Sequence, residues 1–118
     1  VAYALAQVNP NYLDLAIETV NQTRQLAPTD AKLVYNLALF YNQKGDIDRA
    51  IKYFEEALKI KPNYLDVYYA MALFYSQLAK DNPPNSAVYT QKARGSAEYI
   101  LKNIDPTHSP SKELLKTL

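Results

Sequence analysis

Apolar residues recur at three- and four-residue spacing along most of the chain, which is the spacing of amphipathic helices. In the middle of the chain, one apolar stripe contains Leu33, Leu37, Phe40 and Tyr41, and the next contains Ala50, Ile51, Phe54, Ala57 and Leu58. The pattern predicts an all-α fold, with helices near residues 1–8, 12–26, 31–44, 47–61, 64–79, 87–104 and 110–117.

Glycine and proline residues mark the ends of these predicted helices. Gly45 stands where a left-handed residue would end one helix, and Asp46 can cap the next. Pro28 and Pro62 stop the second helix of each pair, because the residue before a proline avoids helical angles. Adjacent segments are therefore expected to form antiparallel hairpins with short turns.

Four further helix starts are predicted from residues that favour caps. The run Pro-Asn-Tyr-Leu-Asp occurs at residues 10–14 and 62–66, where Asn11 and Asn63 precede an apolar helix. Ser86 follows two prolines, and Ser109 precedes Pro110 at the start of the last segment. We expect Asn11, Asn63, Ser86 and Ser109 to cap the helices that follow them.

The sequence repeats with an offset of 34 residues. Leu37 to Gln43 align with Met71 to Gln77, including four consecutive identities, and Pro28 aligns with Pro62 at the same offset. A period of this length is typical of a helix-turn-helix solenoid, whose units must stack to bury their apolar faces.

The amino-acid sequence of residues 31–62 resembles the tetratricopeptide repeat pattern. The matching positions are Leu37, Ala38, Tyr41, Ala50, Phe54, Ala57 and Pro62, while Val34 stands where the family often has Trp and Ala38 where it has Gly. The resemblance implies antiparallel hairpins stacked as a short right-handed superhelix in one domain. Its expected parts are a partial repeat at 1–28, a complete repeat at 31–64, a third repeat with an inserted turn at 65–106 and a capping helix at 110–118.

The third repeat departs from the pattern. If Ala93, Ala97 and Ile100 take the places of Ala50, Phe54 and Ala57, about nine residues have been inserted into the turn and the start of the second helix. Gly95 lies inside that helix. We expect it to permit close packing rather than to mark a kink.

The net charge and the lengths of the apolar runs argue against some classes of function. The net charge is +1 without a basic cluster, which argues against a nucleic-acid partner. No apolar run approaches the ~18 residues of a membrane span, so this segment is not expected to insert into a membrane. The chain begins at Val1 without Met, and we interpret it as a soluble part of a longer protein whose compartment stays open.

Candidate chemistry is sparse. One His, no Cys and scattered carboxylates offer little for catalysis, so no enzyme, cofactor or metal site is predicted. His108 is expected to be solvated in a surface connection. Asp46 and Asp48 are better explained as a cap and a first-turn acid favoured by the helix dipole than as metal ligands.

The family resemblance implies a peptide-binding groove lined by the first helix of each repeat. Tyr35 and Tyr69 are repeat equivalents, and aromatic and amide groups together suit an extended or helical peptide. The alternative is that these tyrosines only cover neighbouring helices, as Tyr41, Tyr68 and Tyr75 are expected to do in the core. The groove residues implied are Tyr35, Asn36, Leu39, Asn42, Gln43, Tyr69, Leu73, Ser76 and Gln77.

Chaperone-binding members of the family hold a terminal carboxylate with a clamp of Lys, Asn and Arg. Only Asn36 matches that clamp here, and Asp66 stands where a basic residue would be needed. This type of adaptor is therefore disfavoured.

Two alternatives to the peptide-binding groove stay open. One is self-association as a homo-oligomer through the uncharged amino-terminal residues Val1, Tyr3, Leu5 and Val8. The other is that the repeats form a regulatory soluble tail of a larger, membrane-bound bacterial protein.

Overall fold

A computed structural model describes residues 12–118, which form helices and turns without a strand. The all-α prediction is confirmed, whereas the helix predicted at 1–8 and the Asn11 cap lie outside the described residues. The chain forms two compact units, the first of which ends at Pro62 and the second of which begins at Asn63. The helices are α1 (Tyr12–Leu26), α2 (Ala31–Lys44), α3 (Ile47–Ile60), α4 (Leu65–Asp81), α5 (Ser86–Tyr99) and α6 (Ser109–Thr117).

In the first unit, α2 and α3 form a hairpin, and α1 packs on α2. Ala38 and Ala50 are completely buried, because small side chains let the two helices of the hairpin approach closely. The rest of the hairpin core consists mainly of Val34, Leu37, Phe40, Phe54 and Ala57. On α1 the buried residues follow the helical period and are Leu13, Ala16, Ile17 and Val20.

The turn between α2 and α3 forms as predicted. Gly45 adopts a left-handed conformation with φ of 84°. The Asp46 amide donates to the Tyr41 carbonyl at 2.9 Å, so this carbonyl at the end of α2 has a hydrogen-bond partner. The Asp46 carboxylate accepts from the amide of Arg49 at 3.2 Å and so caps α3.

Polar contacts hold α1 in place. The guanidinium of Arg24 donates to Glu56 on α3 at 2.9 Å and lies 5.6 Å from the centre of the Tyr53 ring. At the other end of α1, Asp14 pairs with Lys44, and this hydrogen bond raises the pKa of Lys44. The Asp14–Lys44 pair is exposed, so it contributes little stability.

The second unit repeats the hairpin with α4 and α5. Ala93, Ala97 and Ile100 are completely buried, as their proposed equivalents Ala50 and Ala57 are, which supports the predicted alignment of the two hairpins. The nine inserted residues are divided among α4, the connection and α5. Relative to the first hairpin, α4 is three residues longer, α5 begins four residues earlier, and the connection has two more residues.

Three predictions about this unit are wrong. Ser86 is the first residue of α5 and not its cap, because a 3-10 turn at Pro83–Asn85 runs directly into the helix. Asn63 does not cap α4; its side-chain oxygen accepts from the Tyr99 hydroxyl at 2.9 Å. Gly95 is exposed, and a Cβ added there would meet no heavy atom within 4 Å, so close packing does not explain it.

After Tyr99 the helix widens into a π-helical turn at Ile100–Ile104, where the Asp105 amide donates to the Ile100 carbonyl at 2.7 Å. The predicted carboxyl-terminal helix, α6, packs on α5 and on this turn. Its cap is His108 rather than Ser109, since the imidazole Nδ1 accepts from the Ser111 amide at 3.3 Å. Between residues 12 and 118, no helix is both long and apolar enough to cross a membrane.

Candidate functional site

The groove residues predicted on α2 share the side of the helix that the hairpin leaves accessible. Tyr35, Asn36 and Leu39 are half-buried, and Asn42 and Gln43 are exposed. The opposite side carries core residues such as Leu37 and Tyr41. The helical period therefore separates a packing face from an accessible face that combines one aromatic ring, three amides and one leucine.

The equivalent residues on α4 differ more in exposure. Leu73 is 45% exposed and Gln77 is exposed, with its amide donating to Asp81 at 3.0 Å. Tyr69 is half-buried, whereas Ser76 is only 9% exposed. This helix thus offers a smaller accessible surface than α2 does.

Tyr35 and Tyr69 have different neighbours, although they are repeat equivalents. The Tyr35 ring lies 6.5 Å from the ring of Phe54 on α3 and is tilted by 41°. The Tyr69 ring meets the His108 imidazole edge-on at 5.4 Å. Each ring therefore has a structural contact within its own unit, and each also retains accessible surface.

The three tyrosines assigned to the core have packing roles, as predicted. Tyr41 stacks on Tyr53 at 5.4 Å, and Tyr68 stacks on Tyr99 at 4.3 Å. Burial raises the pKa of the Tyr68 hydroxyl, and a hydrogen bond with Tyr99 adds to the effect. Tyr75 is buried beside Phe74.

His108 is half-buried and hydrogen-bonded to Ser111, rather than fully solvated as predicted. Its Nδ1 lies 2.7 Å from the Ser111 hydroxyl, a distance that a nucleophile and its base could also show. Ser111 is completely buried, so no substrate can reach its oxygen, and the same imidazole nitrogen accepts the Ser111 amide. The pair therefore caps α6.

Sequence reasoning missed this contact because His is not among the favoured cap residues. The spacing of His108 and Ser111, with Pro110 between them, was the available signal.

The self-association residues Val1, Tyr3, Leu5 and Val8 lie outside the described residues. Within the described part of the chain, α1 exposes three large apolar side chains, those of Tyr12 (39% exposed), Leu15 (54%) and Leu26 (88%). The three residues are spaced by three and eleven positions, which places them on one side of the helix.

Helical hairpins that recur with a 34-residue period and share one pattern of buried small residues define an all-helical repeat protein. The family model for the tetratricopeptide repeat matches residues 31–64, the segment that contains α2 and α3. Residues 31–64 thus match the tetratricopeptide repeat, a module that points to protein–protein interaction and is in general a non-catalytic scaffold. A search of curated proteins finds no match to the chain.

Proposed function

We propose that this chain is a non-catalytic interaction module that binds a peptide or protein segment on the accessible face of α2, the first helix of its hairpin, and that α4 can present an equivalent face in its own unit. The observation that carries the proposal is the α2 face, where Tyr35, Asn36 and Leu39 are partly accessible beside two exposed amides. Amide groups can hydrogen-bond a peptide backbone, while the ring and the leucine supply apolar contact.

The charge of these faces favours an uncharged or weakly charged segment. Among the groove residues proposed on α2 and α4 none is ionisable except through tyrosine hydroxyls, so recognition rests on amides and apolar groups. A partner recognised mainly through a terminal carboxylate is disfavoured, because Asp66 is exposed on α4 where the clamp pattern has a basic residue.

A displayed library of random peptides, panned on the wild-type protein, supplies a ligand for the test. The affinity of an enriched peptide is then measured for Asn36→Ala, Leu39→Ala and Tyr35→Ala. We expect each change to weaken binding by about tenfold, or about 1.4 kcal/mol, a loss that only a minority of interface residues exceed. Glu55→Ala, at an exposed position of α3, is the matched control and should bind as the wild type does.

Circular dichroism must show unchanged helicity for each variant, since Tyr35 also contacts Phe54. Tyr69→Ala tests α4 separately. The proposal is wrong if enriched peptides bind all the α2 and α4 variants as tightly as they bind the wild type.

Self-association is the second candidate function, and the exposed apolar side chains of Tyr12 and Leu15 at the start of α1 and Leu26 at its end favour it. Sedimentation of the wild type and of Leu15→Lys/Leu26→Lys tests this role. A dimer that dissociates in the double variant would support it, and a wild-type monomer at high concentration would contradict it.

A further inference from the structure

The start of α6 depends on an imidazole nitrogen that accepts hydrogen bonds. The Ser111 amide donates to Nδ1 of His108 at 3.3 Å, and the Ser111 hydroxyl lies 2.7 Å from the same atom. An imidazole nitrogen that accepts from an amide carries no proton, so these contacts assign the proton of the neutral ring to Nε2. The Ser111 hydroxyl then donates to Nδ1 as well.

Protonation of the His108 ring is incompatible with this arrangement, because both nitrogens of an imidazolium are donors. Nδ1 can then donate to the Ser111 hydroxyl, but the Ser111 amide loses its acceptor. Ser111 is completely buried, and a buried donor left without an acceptor is costly. A positive charge at the start of a helix is unfavourable in addition, since the helix macrodipole is positive there.

The caps of α2 and α3 differ from this one in their chemistry. Asp30 accepts from the Lys32 amide at 3.0 Å, and Asp46 accepts from the Arg49 amide at 3.2 Å. Carboxylic acids ordinarily change charge near pH 4, whereas histidine ordinarily does so between about pH 5 and pH 8. Among the side-chain caps of residues 12–118, the α6 cap is therefore the one built on a group that titrates near neutral pH.

Charged groups approach the His108 imidazole from the preceding turn and from α6. The Asp105 carboxylate interacts electrostatically with His108 and attracts an imidazolium, whereas Lys112, one turn into α6, adds a second positive charge. From α4, the ring meets the uncharged Tyr69 side chain edge-on at 5.4 Å. Asp66, one turn before Tyr69, is exposed, so solvent screens its charge. Asp105 thus favours protonation, and the helix start and Lys112 oppose it.

We propose that His108 is a pH-sensitive switch, which holds the start of α6 when its ring is neutral and releases it when the ring is protonated. The stabilisation of α6 is present at neutral and alkaline pH and is lost as the pH falls through the range in which histidine takes up a proton. Release also removes the ring contact with Tyr69 on the accessible face of α4. The importance of that face rests on the function proposed above, whereas the switch does not.

Hydrogen exchange of the Ser111 and Lys112 amides between pH 8 and pH 5 tests this proposal. Each rate is divided by the rate of an unstructured peptide at the same pH, which removes the ordinary pH dependence of exchange. We expect the protection of both amides to fall by about tenfold in the wild type, as for the loss of a helix cap. His108 is the single histidine of the chain, so its ring signals report protonation directly. They should change over the same pH range.

His108→Asn is the matched variant, because asparagine caps a helix without taking up a proton in this range. Its Ser111 amide should be equally protected at pH 8 and pH 5, and better protected at pH 5 than in the wild type. The Arg49 amide, which donates to Asp46 in the first unit, is the internal control and should keep its protection.

Asp105→Asn removes the charge that attracts an imidazolium, so the loss of protection should require a lower pH. Equal protection of the wild type before and after its ring signals change would overturn the switch, because the imidazolium would then hold α6 as well as the neutral ring does. An equal fall in His108→Asn would overturn the assignment to His108. Neither result affects the peptide-binding proposal, whose test uses residues of α2 in the first unit.

Discussion

At the residue scale, the two glycines of this chain differ in whether the backbone conformation requires glycine. Gly45 has a φ of 84°, a left-handed conformation that a residue with a Cβ adopts only with strain. Gly95 lies within α5, has no positive φ and is exposed, with open space where a Cβ would stand. The backbone therefore requires glycine at the first position and not at the second.

Gly95→Ala should stabilise the protein by about 1 kcal/mol, because alanine loses less conformational freedom in a helix than glycine does. Urea unfolding followed by circular dichroism measures the change. Gly45→Ala, the matched control, should destabilise by a similar amount. A Gly95→Ala protein less stable than the wild type would show that Gly95 has a packing role after all.

Asp105 illustrates a local effect on protonation. The Thr107 hydroxyl and then the Thr107 amide donate to its carboxylate, at 2.7 and 2.9 Å, and lower the pKa of Asp105 from 3.8. Because the folded-state pKa is depressed, the associated stability is present above the unfolded-state pKa. It is lost as the pH falls through the folded-state value.

Thr107→Val removes the hydroxyl donor and keeps the amide, so the pKa of Asp105 should rise part of the way to its ordinary value. NMR titration of the Asp105 carboxyl carbon measures it. An unchanged pKa in Thr107→Val would mean that the hydroxyl does not stabilise the carboxylate.

At the scale of elements, the first hairpin was predictable and the second only in part. Gly45, Asp46 and Pro62 fix the ends of α2 and α3 by local chemistry, so the predicted bounds agree to within one residue. The starts of α5 and α6 were also predicted to within one residue, but their caps were not, because a 3-10 turn precedes α5 and His108 caps α6, and local preferences encode neither. The contact of His108 with Tyr69 joins residues distant in sequence, which pattern reading cannot detect.

Asp46→Ala removes the α3 cap and should cost about 1 kcal/mol, a typical loss for such a residue. Thermal or urea unfolding measures the cost. Asp46→Asn should recover most of the stability, because asparagine caps as well as aspartate does. Equal losses in both variants would assign the effect to the exposed Asp46–Arg49 ion pair instead.

His108→Ala should loosen α6 by removing both its cap and the ring contact with Tyr69. Hydrogen exchange of the Ser111 and Lys112 amides should accelerate by about tenfold, which corresponds to about 1.4 kcal/mol. His108→Asn keeps a cap without the ring and separates the two contributions. Unchanged exchange in His108→Ala would contradict the capping role.

At the scale of the whole molecule, the described residues 12–118 give each compact unit one helical hairpin and one further α-helix. The 34-residue period revealed the hairpins, because it depends on sequence spacing alone, whereas the proposed groove residues of α2 were implied by the resemblance to the tetratricopeptide repeat. The details of the second hairpin could not be predicted in the same way, because they depend on how nine inserted residues are divided among α4, α5 and their connection.

The central claim is that the accessible face of α2 binds a peptide. Amide shift mapping of the 15N-labelled protein with a library-enriched peptide tests it most directly. We predict that the largest shifts fall within residues 35–43, and that Asn36→Ala reduces them at the same peptide concentration. Shifts confined to the exposed side of α3, at Lys52, Glu55 and Lys59, would contradict the claim.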